Sequence, residues 1–166
     1  MLDLSAIRVL TVDDNQNMLS IIKYSLRALG VRDIQATHDV EKAYILYKEK
    51  HPDIIITNWM MDNIKGLAFT KKIRSAKDSN NKQIPIIMLS AYSELHRITK
   101  ARDTGVTEFL VKPVSPKAIY LRLSQVIQKP RQFIESKVFF GPDRRRLTSD
   151  RYTNQLRRKT DKKRKK

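Results

Sequence analysis

Apolar residues along this chain follow two alternating rhythms. Compact apolar, β-branched runs occur at residues 7–12 (IRVLTV), 53–57 (DIIIT), 84–89 (IPIIML) and 108–111 (EFLV), and residues 33–37 read as a further strand. Between them, apolar positions return at helical spacing: Met18, Ile22, Ser25, Leu26 and Leu29, then Val40, Ala43, Tyr44 and Tyr47. Further helices are predicted from Gly66 to about residue 76, over 93–103, and from Ser115-Pro116 to residue 126 or 127. Local punctuation supports these limits. Gly30 and Gly105 are helix stops, Asp39 and Ser115 are N-caps, and His51-Pro52 breaks the second helix. The near-continuous apolar run at 53–57 suits a parallel strand covered on both faces. Five strands alternating with five helices predict an α/β fold, a doubly wound five-stranded parallel sheet flanked by five helices.

The pattern stops at Lys129-Pro130, which divides the chain into a domain over 1–128 and a C-terminal extension over 129–166. The extension has one apolar cluster, Val138-Phe139-Phe140, ahead of Gly141-Pro142, and too few apolar residues beyond it for a core of its own. It is expected to be largely flexible, with the aromatics able to dock on the domain and the arginines exposed. Charge sharpens the division. The chain carries a formal +17, and residues 129–166 hold 15 Lys/Arg against 4 Asp/Glu, whereas residues 1–128 hold 19 against 13. So concentrated a positive charge suits an acidic partner: nucleic acid, an anionic membrane or an acidic protein. The run Arg144-Arg145-Arg146 pairs well with phosphate, and nucleic acid is the main alternative partner. The extension is too short for a winged-helix domain, so sequence-specific DNA reading is not expected. There is no cysteine, which excludes disulfides and thiolate metal sites. No apolar stretch approaches a membrane span of roughly 18 residues, and a cytoplasmic location is expected.

In an open parallel sheet, ligands bind outside the carboxyl ends of the strands. Four such ends carry polar groups: Asp13 and Asp14 after the first strand, Asn58 after the third, Ser90 after the fourth and Lys112 after the fifth. Carboxylates suit Mg²⁺, and a hydroxyl and an ammonium could hold the oxygens of a phosphoryl group. Taken singly, each has a plainer reading. Asp14 is equally suited to capping the first helix, Ser90 to an ordinary loop, and Lys112 to solvent. Their joint position at one edge favours a shared pocket.

The stretches VLTVDDN, DIIITNWMMDNIKG, PIIMLSA and GVTEFLVKPV resemble the receiver domain of two-component response regulators, a flavodoxin-like fold, across roughly residues 5–128. The resemblance implies that Asp13, Asp14 and the backbone carbonyl of Met60 hold Mg²⁺. It implies that Ser90 and Phe109 are the switch residues, that Lys112 contacts phosphate, and that the Lys112–Pro113 bond is cis. Gly66 matches a glycine eight residues after the acceptor. The resemblance further implies a stand-alone phosphorelay signalling protein, not an enzyme. Its partners would be a histidine kinase or a downstream target, met through the fourth helix, fifth strand and fifth helix.

Two positions depart from the family: Asn58 stands where the phosphoacceptor aspartate is expected, and Asp62 where proline is common. An amide oxygen is neutral and a poor nucleophile, so no acyl phosphate should form, and Mg²⁺ should bind more weakly with one carboxylate fewer. Three explanations stand: a natural phosphorylation-independent receiver, an engineered substitution, or a different acceptor such as Thr57, whose side chain strand alternation should turn away. The Asn58 amide could instead donate a hydrogen bond to Asp13 and fix the pocket without a ligand. Enzymes on related folds fit less well. Asp13-Asp14-Asn15 is not the Asp-x-Asp of haloacid-dehalogenase-type phosphatases, and DDNQNM lacks the glycines of a nucleotide loop.

Overall fold

The computed structural model describes residues 2–61, 65–91, 93–136 and 139–143. Five strands, β1 (Arg8–Val12), β2 (Asp33–Thr37), β3 (Ile54–Asn58), β4 (Ile86–Ser90) and β5 (Glu108–Val111), form one sheet in the order β2-β1-β3-β4-β5. Every pairing in it is parallel. The helices α1 (Gln16–Ala28), α2 (Val40–Lys50), α3 (Lys65–Ser75) and α4 (Leu95–Thr104) make the crossovers, and α5 (Pro116–Gln128) follows β5 and packs beside α1. This is the doubly wound α/β architecture that the sequence predicts.

Strand alternation sorts the core into two layers. Val9, Ile54, Ile56, Ile87 and Leu89 face Ile22 and Leu26 of α1 and Ile119 and Leu123 of α5. Leu10, Val12, Ile55 and Ile86 face Tyr47 of α2 and Phe69 and Ile73 of α3. All five residues of β3 are buried, as a central parallel strand requires. The caps set where the chain turns out of the sheet. Asn15 accepts from the Met18 N–H at 3.0 Å, Asp39 from Lys42 at 2.6 Å, and Ser115 from Ala118 at 3.2 Å. Each satisfies an N–H that the first helical turn leaves without a partner.

Several boundaries shift by one or two residues, and three of the shifts have a local reason. β4 begins at Ile86 and not 84, because Pro85 has no N–H to give the ladder. β3 runs on to Asn58, which pairs with Leu89 and so carries its side chain to the strand end. α4 starts at Leu95 behind Glu94, which makes no side-chain cap bond.

The larger difference lies beyond residue 128. The sequence pattern predicts no strand there, yet β6 (Phe133–Ser136) and β7 (Phe139–Pro142) pair antiparallel, and β7 packs against α3 and α4. Two four-residue strands carry too little pattern to announce themselves, and such a ribbon is stable only against a support. Arg144, Arg145, Arg146 and the Lys-rich end lie outside the described residues, as does Asp62. Among the described residues, no helix is long and apolar enough to cross a membrane.

Candidate functional site

β1 delivers Asp13 to the carboxyl edge of the sheet with its side chain fully buried. Such a carboxylate needs hydrogen bonds or a cation. The Asn15 N–H donates to Asp13 Oδ1 at 3.0 Å, and Lys112 Nζ reaches Asp13 Oδ2 at 2.9 Å. Lys112 arrives from the end of β5, its own N–H tied to the Ser90 carbonyl at 2.7 Å and its bond to Pro113 cis. Burial pushes the Asp13 carboxyl above its ordinary pKa, and the Asn15 N–H and the Lys112 ammonium oppose that shift.

Asn58 sits between these groups. Its amide Nδ2 donates to Asp13 Oδ1 at 3.2 Å, to Asp14 Oδ1 at 3.2 Å and to the Met60 carbonyl at 2.7 Å. Three acceptors around one atom fix that atom as the nitrogen. Two N–H hydrogens serve three oxygens, so one is shared. The amide therefore lies at the common point of two carboxylates and a carbonyl, holding apart two negative charges that would otherwise repel.

Two carboxylates and a carbonyl are hard oxygen donors of the kind that suits Mg²⁺. Their occupancy does not suit it. Mg²⁺ needs ligand oxygens at about 2.0–2.1 Å in near-octahedral geometry. The point those oxygens share is already filled by an N–H donor. The residues in this arrangement do not fit a cation, and one could enter only after the Asn58 side chain rotated away. Among the described residues, no group of three or more His, Cys, Asp or Glu side chains is placed to hold a metal ion.

The surroundings hold Asn58 in place. A Cβ on Gly66 would overlap the Asn58 backbone carbonyl oxygen and lie 3.0 Å from the Trp59 carbonyl oxygen, so glycine is what lets α3 start this close. Thr57 is fully buried and its hydroxyl donates to the Asn58 carbonyl at 3.3 Å, so it faces away from any phosphodonor. Ser90 is buried at the end of β4. Phe109 is half-buried and meets the Trp59 ring edge-on, at 6.3 Å between centroids and 79° between planes. The structure thus gathers Asp13, Asp14, Asn58, the Met60 carbonyl and Lys112 into one bonded cluster. Phe109 lies one layer away, behind Trp59. Sequence reasoning did not single out Trp59, although it is the sole tryptophan and directly follows Asn58.

Sheet order and strand-end cluster define a class, and comparison with known proteins agrees. The family model of the response regulator receiver domain matches residues 9–124, and the chain belongs to that family. Chemotaxis protein CheY1 of Helicobacter pylori is 36% identical over 121 residues, covering 72% of this chain and 96% of that protein. CheY-3 of Vibrio cholerae is 30% identical over 122 residues, covering 74% and 92%. The solved structure of Vibrio cholerae CheY4 superposes with a TM-score of 0.66 at 26% identity, covering 73% of this chain and 98% of that one. Receiver domains of this type are two-component signalling proteins.

Proposed function

We propose that this receiver domain signals by protein–protein contact without phosphorylation at the usual site. Asn58 holds the phosphoacceptor position, and its amide does internally what a divalent cation would do between Asp13, Asp14 and the Met60 carbonyl. The observation that carries this reading is the set of three hydrogen bonds from Asn58 Nδ2, at 2.7–3.2 Å. Lys112 neutralises Asp13 in the same cluster, so the pocket is satisfied without metal or phosphate. Ser90 and Phe109 occupy the switch positions but lack the event that would move them.

Output runs through the face built by α4, β5 and α5. Leu95, Val111 and Leu121 are exposed on these elements. A groove of about 690 Å³ runs along β5 beside Val111, with Phe109, Leu110, Glu108, Arg102 and Arg122 in its walls. An apolar floor with arginines at the side suits an acidic, partly apolar protein segment.

The direct test is incubation with labelled acetyl phosphate and Mg²⁺. The protein is expected to remain unlabelled, and Asn58→Asp is expected to gain a hydroxylamine-labile acyl phosphate. A labelled product on the unaltered chain would overturn the reading. The charge of residues 129–166 favours nucleic acid as a second class of partner. A mobility shift that weakens steeply with salt would support that reading, and its absence would remove it.

A further inference from the structure

The described part of the extension is built into the domain. Arg131 Nη1 donates to the Thr107 carbonyl at 3.1 Å, and its Nη2 donates to the Asp143 carbonyl. The Asp143 N–H closes back on the Gln132 carbonyl at 2.7 Å. One arginine thus ties both ends of the β6–β7 hairpin to the residue that precedes β5. Phe133 and Phe140 pack across the hairpin at 5.6 Å between ring centroids, and Phe133 lies over the buried Arg74 guanidinium at 5.0 Å. Arg74 in turn donates from Nε to the Gly105 carbonyl at 3.0 Å and from Nη1 to the Lys82 carbonyl at 2.7 Å.

Two glycines make the contact close. A Cβ on Gly141 would lie 2.9 Å from the Gly105 Cα and 2.7 Å from the Phe139 ring. A Cβ on Gly105 would lie 3.1 Å from the Phe140 carbonyl oxygen. Backbone therefore meets backbone at the C-terminus of α4, where Gly105 already takes a left-handed φ of +98°. The short stretch from Gly105 to Thr107 is gripped by the Arg74 guanidinium, the Gly141 backbone and the Arg131 guanidinium.

That stretch joins the two elements with most to gain from support. α4 buries only Ala101, has no side-chain N-cap bond, and leaves Leu95 78% exposed. Few buried contacts mean low local stability. β5 is an edge strand and carries Phe109.

We propose that the β6–β7 hairpin is an intramolecular clamp on the α4–β5 junction, holding the output face in one arrangement, so that undocking of the hairpin frees α4 and β5. This rests on the reading of that face as the output surface.

Amide hydrogen exchange by mass spectrometry on the full chain tests it, comparing the unaltered protein with Gly141→Val and Arg131→Gln. Gly141→Val removes the room for docking. Arg131→Gln removes the double tether without touching the core, and decides the matter if Gly141→Val fails to fold. Exchange across residues 95–111 is expected to accelerate about tenfold or more in both. Peptides from β1 and β3 should keep their rates. Exchange in 95–111 that stays at the unaltered rate overturns the clamp, whether residues 133–143 lose their protection or retain it. A separate arm adds Mg²⁺ and acetyl phosphate to the unaltered protein. A change over 95–111 in that arm contradicts the pocket reading alone, because the hairpin variants decide the clamp independently.

Discussion

Lys112→Met is expected to lower stability by about 3 kcal/mol at neutral pH and by much less near pH 4. Removing one partner of a buried ion pair costs about 3–5 kcal/mol, because the other charge is left without compensation. The Lys112 side chain keeps 17% exposure, which argues for the lower end, whereas Asp13 has none. The sign of the pH dependence follows from Asp13. Its folded pKa lies above the ordinary value of 3.8 because burial disfavours the carboxylate. Between the unfolded and folded values the native state binds more protons, so stability falls as pH rises through that window. Without Lys112 the folded value moves higher, the window widens, and the deficit of the variant grows with pH. Below the unfolded value both states are protonated and the deficit closes. Denaturant unfolding at pH 4 and pH 7.5 reads this out, and Asp13→Asn in the Lys112→Met background should recover part of the loss. A deficit independent of pH would mean that Lys112 acts through packing.

Gly66→Ala is expected to cost about 3 kcal/mol or more. Overpacking a core usually costs about 1–3 kcal/mol, because side chains rotate and share the strain. Here the added carbon meets the Asn58 carbonyl, which is backbone in a fully buried strand and cannot rotate away. The start of α3 must lift, and it presses on Asn58 itself. Gly30→Ala is the internal comparison. Gly30 has φ +93° but nothing within 4 Å of an added Cβ, so only the left-handed backbone penalty of about 1–2 kcal/mol applies. Chemical denaturation of both variants separates the steric from the conformational cost. Equal losses would rule out the clash as the cause.

How far the sequence reveals this protein depends on how local each determinant is. The alternation of strands and helices was legible because its signals are written over a few neighbouring residues: the apolar run of β3, the caps Asp39 and Ser115, the stop at Gly105. The polar strand ends were legible too, because the doubly wound topology places all of them on one edge. The bonding of Asn58 was legible only in outline. That its amide could reach Asp13 follows from topology. That it also reaches Asp14 and the Met60 carbonyl depends on the loop after β3 folding back, and no periodicity encodes that. The hairpin was hardest. Its strands, FIES and FFGP, lack a clean alternation, and Gly141-Pro142 reads as a chain break. What makes it a strand pair is contact with Gly105 and Thr107, more than 20 residues away in the chain. Composition suggests that Phe139 and Phe140 dock on the domain; the Phe140 ring packs on Phe133 within the extension, and it is Phe133 that lies over Arg74 of the domain.

The Asn58 amide fills the point a cation would need between Asp13, Asp14 and the Met60 carbonyl. The sole tryptophan, Trp59, follows Asn58 and packs on Phe109, so its fluorescence reports on that point. The deciding measurement is a Mg²⁺ titration of Trp59 emission in the unaltered protein and in Asn58→Asp. The unaltered protein is expected to show no saturable change, and Asn58→Asp to bind Mg²⁺ at least about tenfold more tightly, as a third carboxylate replaces the N–H donor. Equal Mg²⁺ affinity in the two proteins would contradict the account.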